Sequence, residues 1–513
     1  GNRFVNYHFT PLKLQNSTGV ICTNNIIEGA AWENGNQAIN FQNTRDYQDE
    51  RELFVCSNNI IRFYSGVGWV LDYADLDGSG ITITIEIDSG GDIVLTEGLE
   101  LDFSSDTSNA EAAQTIATAL ETALDQTGSF LSKVRFEARG SRFVGFARFG
   151  FRVTKFETDA DASDLVLNHV ANKNIGIYVQ GDADEVFLSN YIRVSGNQII
   201  GAEDSIRFQY CRMVSSSFNQ IENCTRSYRL QHIKSSDADS NRIPVDIQII
   251  GDTIDTCSNV AIHAADDAVV NTTNLHLIVR DTVIRNAANF GIKLEGGIGL
   301  NVSGCTIIGG AVGIDAIDLT NVQSTNPFTS YANYTNNTFE GQTTYAMHTQ
   351  NVKEVTITGN RVMEQAADGI FVFNSDKVTI RNNEVIWRSG TSGGSDDAIV
   401  IDSTQEALLE GNYIEQAGRD GVRVTNTPAN AIIDVKGGKI TNVGNTGIRV
   451  TESSPVATIT VNVIGVTFKG NMTKDILLNN VGDTFITSCQ APASSLQLTG
   501  NNSDKEDWNS WNP

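Results

Sequence analysis

Val355-Thr356-Ile357-Thr358-Gly359-Asn360-Arg361-Val362 alternates apolar and polar residues, turns at Gly359-Asn360 and starts a second strand. Gly369-Ile370-Phe371-Val372-Phe373 follows, a small residue and an aliphatic leading a third alternating run. The same order then returns. Val378-Thr379-Ile380-Arg381-Asn382-Asn383 is followed by Ala398-Ile399-Val400-Ile401-Asp402, and Leu408-Leu409-Glu410-Gly411-Asn412 by Gly421-Val422-Arg423-Val424-Thr425. From Gly369 to Ala398 is 29 residues, from Ala398 to Gly421 is 23, and from Gly421 to Gly447 is 26. A period of this size holding three short strands is the mark of a solenoid.

Earlier copies extend the pattern: Gly176-Ile177, Ser205-Ile206, Ala261-Ile262, Gly291-Ile292, Gly313-Ile314 and Ala346-Met347. One coil cannot bury its inward aliphatics alone. Stacked coils, with strands ~4.8 Å apart, bury them in a continuous column. Asn at the turns tolerates left-handed backbone and can stack on the next coil's Asn. Asn24-Asn25 and Asn58-Asn59 start this early, and Cys22 and Cys56, two residues before each pair, read as one inward ladder. The expected fold is all-β, a right-handed parallel β-helix of about a dozen coils.

The repeat lapses after Tyr73 and resumes near Leu165. Between them lie the period-two strand Ile81–Ile87, a strand region from Asp92 to Phe103, and strands at Val134–Ala138 and Phe143–Ala147. Ser108-Asn109-Ala110-Glu111 reads as a capping box, opening a helix with Ala113, Ile116, Ala117, Leu120 and Leu124 on one face. The expected division is therefore N-terminal coils over 1–75, a small inserted α+β domain over 76–158, the main β-helix over 159–482, and a cap or trimer-contact tail over 483–513. The tail carries Trp508 and Trp511.

A net charge of −25 repels nucleic acid and anionic membranes. No apolar run reaches the ~18 residues of a membrane span, so no membrane insertion is expected. Seven cysteines without a CxxC pair read as buried thiols, not as a disulfide scaffold. Gly1-Asn2-Arg3-Phe4 reads as a start inside a larger protein, with an N-terminal part missing.

Alternation puts the third and fifth residues of each phrase on the outer face. One outward column then runs Tyr178, Arg207, Arg229, His263, Lys293, Asp315, His348, Phe371, Val400, Arg423, Arg449. Gln, Arg, His and acids along it suit sugar hydroxyls and carboxylates. The densest ionisable stretch holds His263, Asp266, Asp267, Lys293, Glu295, Asp315, Asp318 and His348. Glu295 and Asp315, on neighbouring coils, are the first candidate acid pair for glycoside hydrolysis. Lys293 or a His is the alternative base, for β-elimination on a uronate. Phe328, Tyr331 and Tyr334 wall this region as candidate sugar-stacking rings. Asp266-Asp267 and Asp396-Asp397 lack a full Ca²⁺ loop, so neither metal nor cofactor is expected.

The stacked aliphatic rungs, Asn turns and acidic balance resemble phage tailspike proteins over most of residues 15–480. The resemblance implies a homotrimer on the virion tail. It would attach to the virion through the missing N-terminal region, then bind and usually cleave a bacterial surface polysaccharide (O-antigen or capsule). A narrower similarity is to polygalacturonases, whose motifs fall on successive coils. Here Asp368-Gly369-Ile370, Asp396-Asp397-Ala398-Ile399, Asp420-Gly421-Val422 and Gly447-Ile448-Arg449-Val450 match in order and spacing. Ala366-Ala367 replaces Asn-Thr, Asp420 stands where His is expected, and Thr451 replaces Lys. This similarity implies Asp368, Asp396, Asp397 and Asp420 as catalytic carboxyls, with Arg449 on the substrate, and the outward column adds Arg423 as a substrate-binding residue. The expected function is an endo-glycosidase with paired carboxylates. The alternatives are a lyase, a secreted pectinase-like or epimerase-type enzyme, or a non-catalytic adhesin.

Overall fold

In the computed structural model the described residues are 1–5, 10–17, 19–29, 37–42, 54–64, 66–76, 80–88, 93–100, 103–126, 134–147, 152–168, 174–181, 191–211, 213–231, 245–265, 275–319, 330–387, 396–452, 458–470, 472–491, 496–499 and 503–504. Two long parallel sheets dominate them, one of 27 strands and one of 15. A single coil shows how the phrases map onto them. Glu354–Thr358 lies in the 15-stranded sheet, and Arg361–Met363 and Ile370–Phe373 both lie in the larger one. Lys377–Arg381 then pairs with Glu354–Thr358, one coil on. The 15 strands give one rung per coil, more than the dozen read from the phrases, because coils such as the one carrying Ala38-Ile39, whose Ile39 pairs with Ile177, are not among those phrases. Among the described residues no helix is long and apolar enough to cross a membrane.

The inward column is continuous. Ile292 pairs with Ile314, Ile314 with Met347, Met347 with Ile370, and Ile370 with Ile399, and all five are fully buried. The small residue before each aliphatic also has a steric cause. A Cβ on Gly369 would meet Ala398 O at 2.7 Å and Val385 Cγ1 at 3.0 Å. The coil above therefore leaves room for glycine or, with a small shift, alanine.

The turn ladder divides its work between the two residues of each pair. The first takes the left-handed conformation, as at Asn24 (φ 57°), Asn58 (φ 54°) and Gly359 (φ 67°). The second sends its side chain inward. Asn337 donates Nδ2 to Asn360 Oδ1 at 2.9 Å, Asn360 to Asn383 at 3.0 Å and Asn383 to Asn412 at 3.0 Å. An earlier run links Asn25, Asn59, Asn197 and Asn219 and ends on the buried carboxylate of Asp252. Thr282, next in line, turns its hydroxyl to Arg280 O in its own coil instead. The ladder restarts where the backbone N–H of Cys305 donates to Asn337. Cys22 and Cys56 pair in register and are buried, as the inward reading requires.

Between two coils the chain makes an excursion. Gly66–Val70 pairs antiparallel with Arg142–Ala147 and Leu165–Asn168. Gly80–Asp88 pairs with Ile93–Glu100 and Arg152–Thr158. Helix α1, Asn109–Gln126, packs its Ala113, Ile116, Ala117 and Leu120 face into a core separate from that of the solenoid. Leu124, assigned to the same face, lies outside the described side chains. Ser108 caps the helix through Oγ to the N–H of Glu111, while the Glu111 carboxylate reaches back to Thr107 N–H (2.6 Å), one residue beyond the usual box. This second core also takes in Val70 and Leu165. Arg139 of the excursion ties it to the coils by pairing with the buried Glu28 carboxylate (3.2 Å), which Arg3 and Arg62 also hold.

Candidate functional site

The outward column lies in register over its whole length. Tyr178 pairs with Arg207, Arg207 with Arg229, Arg229 with His263 and His263 with Lys293. Lys293 pairs with Asp315, Asp315 with His348 and His348 with Phe371. Val400, Arg423 and Arg449 complete it. Beside it runs a second column, set a few residues earlier on each strand. There Val312 pairs with Tyr345, and the same offset sets Tyr345 beside Asp368, Asp368 beside Asp397 and Asp397 beside Asp420. Three carboxyls thus stand on three successive rungs, about 4.8 Å apart.

They are bound together. Asp368 Oδ1 accepts the Asp397 N–H (2.7 Å), Asp397 Oδ1 the Asp420 N–H (3.0 Å), and Asp420 Oδ1 the Thr446 N–H (3.0 Å). Arg419 forks onto both oxygens of Asp397, with Nε at 2.8 Å. Arg423 reaches the same group at 3.5 Å. Arg449 Nε lies 3.2 Å from Asp420 Oδ2 as an ion pair without hydrogen-bond alignment. Asp397 and Asp420 are fully buried and Asp396 nearly so, while Asp368 is half-buried at the face. Burial, with the nearby Asp397 and Asp396 charges, raises the Asp368 carboxyl to about 6 against the pull of the Asp397 N–H and Arg419. Burial also raises Asp420. Asp368 is therefore the carboxyl here that reaches solvent and holds a proton in mildly acidic water.

The first candidate pair, Glu295 and Asp315, does not stand in direct register. Register sets Lys293 opposite Asp315 and Ile317 opposite Glu295, so the two acids are diagonal. Each has its own partner: Glu295 pairs with Lys293 at 2.5 Å, and buried Asp315 bonds His348 Nδ1 at 2.6 Å. Asp318 is a left-handed turn residue (φ 54°) that accepts from Asn351, which in turn accepts from Asn374 (2.6 Å). His263 sits between Arg229 and Lys293, its imidazolium disfavoured by burial. Tyr334 is a core residue bonded to Thr349, and Tyr331 bonds His276 on the other sheet, so neither walls the stripe. Asp266, Asp267 and Phe328 lie outside the described residues, as do Trp508 and Trp511.

Two groups of functional interest each include a residue that the alternation rule does not give, Arg419 and Tyr345. Arg419 comes from the turn before the strand Asp420–Thr425. Tyr345, His348 and Phe371 form a ring cluster, with centroids 5.2 to 5.4 Å apart, between Asp315 and Asp368. Three aromatic rings on two adjacent rungs, Tyr345 and His348 on one and Phe371 on the next, are the sequence signal that marks it.

A family model described as the right handed beta helix region matches residues 328–491. The molecule is a right-handed parallel β-helix. A second model, for the periplasmic copper-binding protein NosD, matches residues 234–393. Each spans about a third of the chain. No curated protein matches it. The copper in the second description finds no donor set among the described residues. Copper takes thiolates, thioethers or imidazoles. Among the described residues no three His, Cys, Asp or Glu side chains group to hold a metal. Cys257 and Cys305 are buried, which pushes both thiols up, Cys305 to about 12. The His348 Nδ1 is already engaged by Asp315. The β-helix repeat, which both stretches share, accounts for the match.

Proposed function

We propose that this β-helix is a polysaccharide depolymerase of the tailspike kind, cleaving a bacterial surface polysaccharide by glycoside hydrolysis on the face around Asp368. The supporting observation is the carboxyl column Asp368, Asp397 and Asp420, whose one member at the surface, Asp368, is raised to about 6 by burial and the nearby Asp397 and Asp396 charges. Asp368 serves as general acid to the leaving oxygen. Asp396, whose charge already acts on Asp368 and which keeps 8% of its surface open where Asp397 and Asp420 keep none, serves as the second carboxylate, since glycosidases need two flanking the bond. Asp397 and Asp420 are too deeply buried to touch a sugar and hold Arg419, Arg423 and Arg449 in place. The same proposal takes the molecule as a homotrimer on a virion tail.

Mass spectrometry of products from a panel of capsular and O-antigen polysaccharides tests this. Shortened chains with saturated ends are expected, and Asp368→Asn and Asp396→Asn should each lower the rate at least ~10³-fold. Retention of the polysaccharide without shortening would instead identify an adhesin. Elimination has one observation in its favour. Asp315 accepts from His348 Nδ1 and leaves Nε2 as a base beside Tyr345. Unsaturated uronate ends, lost on His348→Ala, would establish it.

A further inference from the structure

Six rungs from Asp368, the same face carries a different kind of cluster. Asp204 is fully buried, and three arginines from two neighbouring coils converge on it. Arg226 Nε lies 2.5 Å from it, Arg229 at 3.4 Å and Arg207 at 4.0 Å. Glu203 takes a second contact from Arg226 at 3.0 Å. Three cations against two anions leave the patch one positive charge in excess, in a chain whose net charge is −25. Like charges held this close are maintained at a cost.

The guanidinium groups are also pre-arranged. Arg207 lies over the Tyr178 ring, 5.2 Å from its centroid, and donates to Gln231. Its Nε has no hydrogen-bond partner. Tyr178 in turn donates to Gln209 at 2.5 Å. The side chains of Arg207 and Arg229 keep 22% and 25% of their surface open, enough to accept a ligand. Gln180, Gln209 and Gln231 stand in register beside them, offering amides at the spacing of the rungs. Asp204 occupies the position that Asp368 takes six rungs later, but here the arginines neutralise it. The arrangement suits binding and not bond cleavage.

We propose that Arg207, Arg226 and Arg229 form an anion-binding subsite for acidic sugar residues, about 24 to 29 Å along the face from Asp368. The inference rests on the reading of this face as a polysaccharide track, and it names the substrate class: a polymer bearing carboxylates, bound along the helix axis. A forked guanidinium matches a carboxylate with two parallel hydrogen bonds. The polymer must span the subsite and the acid column together, so long chains are held at both ends and short fragments at one.

Binding is measured on the Asp368→Asn full chain, by affinity electrophoresis with polygalacturonate and hyaluronan, and with dextran as the neutral polymer. The expected result is retardation by at least one acidic polymer and none by dextran. It should weaken at least tenfold in Arg207→Gln, less in Arg207→Lys, and steeply with salt. Unchanged thermal unfolding of Arg207→Gln shows that the fold is kept; if it unfolds early, Gln231→Ala, which frees the Arg207 fork, must tighten or leave binding intact. Equal retardation by dextran, no retardation by either acidic polymer, or binding indifferent to Arg207→Gln overturns the subsite. Arg207-dependent binding in a protein that cuts no polysaccharide would leave the subsite standing and remove the hydrolase.

Discussion

At Asp368 burial and two neighbouring carboxylates outweigh one backbone N–H and one arginine, and the carboxyl settles at about 6. A general acid with that value works while protonated, so activity should fall as pH rises through about 6. The same shift has a consequence for stability. An unfolded Asp titrates near ~3.9, so the folded state holds this proton more tightly and stability falls as pH rises from about 4 through 6. Asp368→Asn keeps the acceptor for the Asp397 N–H. It should therefore abolish cleavage while leaving the thermal midpoint at pH 8 equal to or above that of the parent. Calorimetry beside an activity assay separates this from a merely structural role, for which both would drop. The acids before Gly369-Ile370, Ala398-Ile399 and Gly421-Val422 are legible in the chain because the repeat numbers every rung. The partners of Glu295 and Asp315 are not. Proximity of coils does not give their register, and a two-residue offset hands each acid a different partner.

The ladder is the element on which rungs depend most. Asn360 donates to Asn383 Oδ1 and to Tyr334 O, and accepts the Asn337 N–H, all in the dry interior. Asn360→Ala strands those partners and should cost ~2–4 kcal/mol in urea unfolding. Asp252 is the opposite case. It stands where the earlier run would hold Asn, buried against Tyr228 and Asn219, and burial raises it to about 6. Its ionisation above that value opposes folding, by up to ~3 kcal/mol. Asp252→Asn should lessen the fall in stability between about pH 4 and 6, leaving the share that Asp368 contributes, and raise the midpoint at pH 8. No gain there would mean that Tyr228 already offsets the buried charge. The Asn turns are legible in the chain, since Asn-Asn and Gly-Asn recur from coil to coil. Which residue of each pair points inward is not, because both tolerate the turn.

For the whole molecule, a solenoid places far-separated residues in one line, and this is why so much of its face is legible in the amino-acid order. Period and alternation together number the rungs. What they do not place comes from turns and excursions, where the period lapses: Arg419 on its turn, and Arg139 on the excursion with its hold on Glu28. The excursion clamp gives a test at this scale. Burial disfavours a charged Glu28, but the three arginines overcome it and hold its carboxyl below the usual range. Glu28→Ala should leave the solenoid folded but expose the 76–158 segment to limited proteolysis. Light scattering tests the proposed trimer, for which three times the 55.6 kDa chain mass is expected.

The gap in the turn ladder at Thr282 has a mechanical meaning. Interior side-chain links bind the coils before Asp252 into one block and those from Cys305 to Asn412 into another. Along this corner, among the described residues, backbone bonds, apolar packing and one weak thiol bond from Cys305 Sγ to Val279 O (3.7 Å) carry the crossing between them. Pulled from its two ends, the rod should yield there first and lengthen in two separate steps. The subsite arginines and the acid column sit on opposite blocks. A polymer bound to both would act as a splint across the seam, and force spectroscopy with the glycan present should show the first step shifted to higher load.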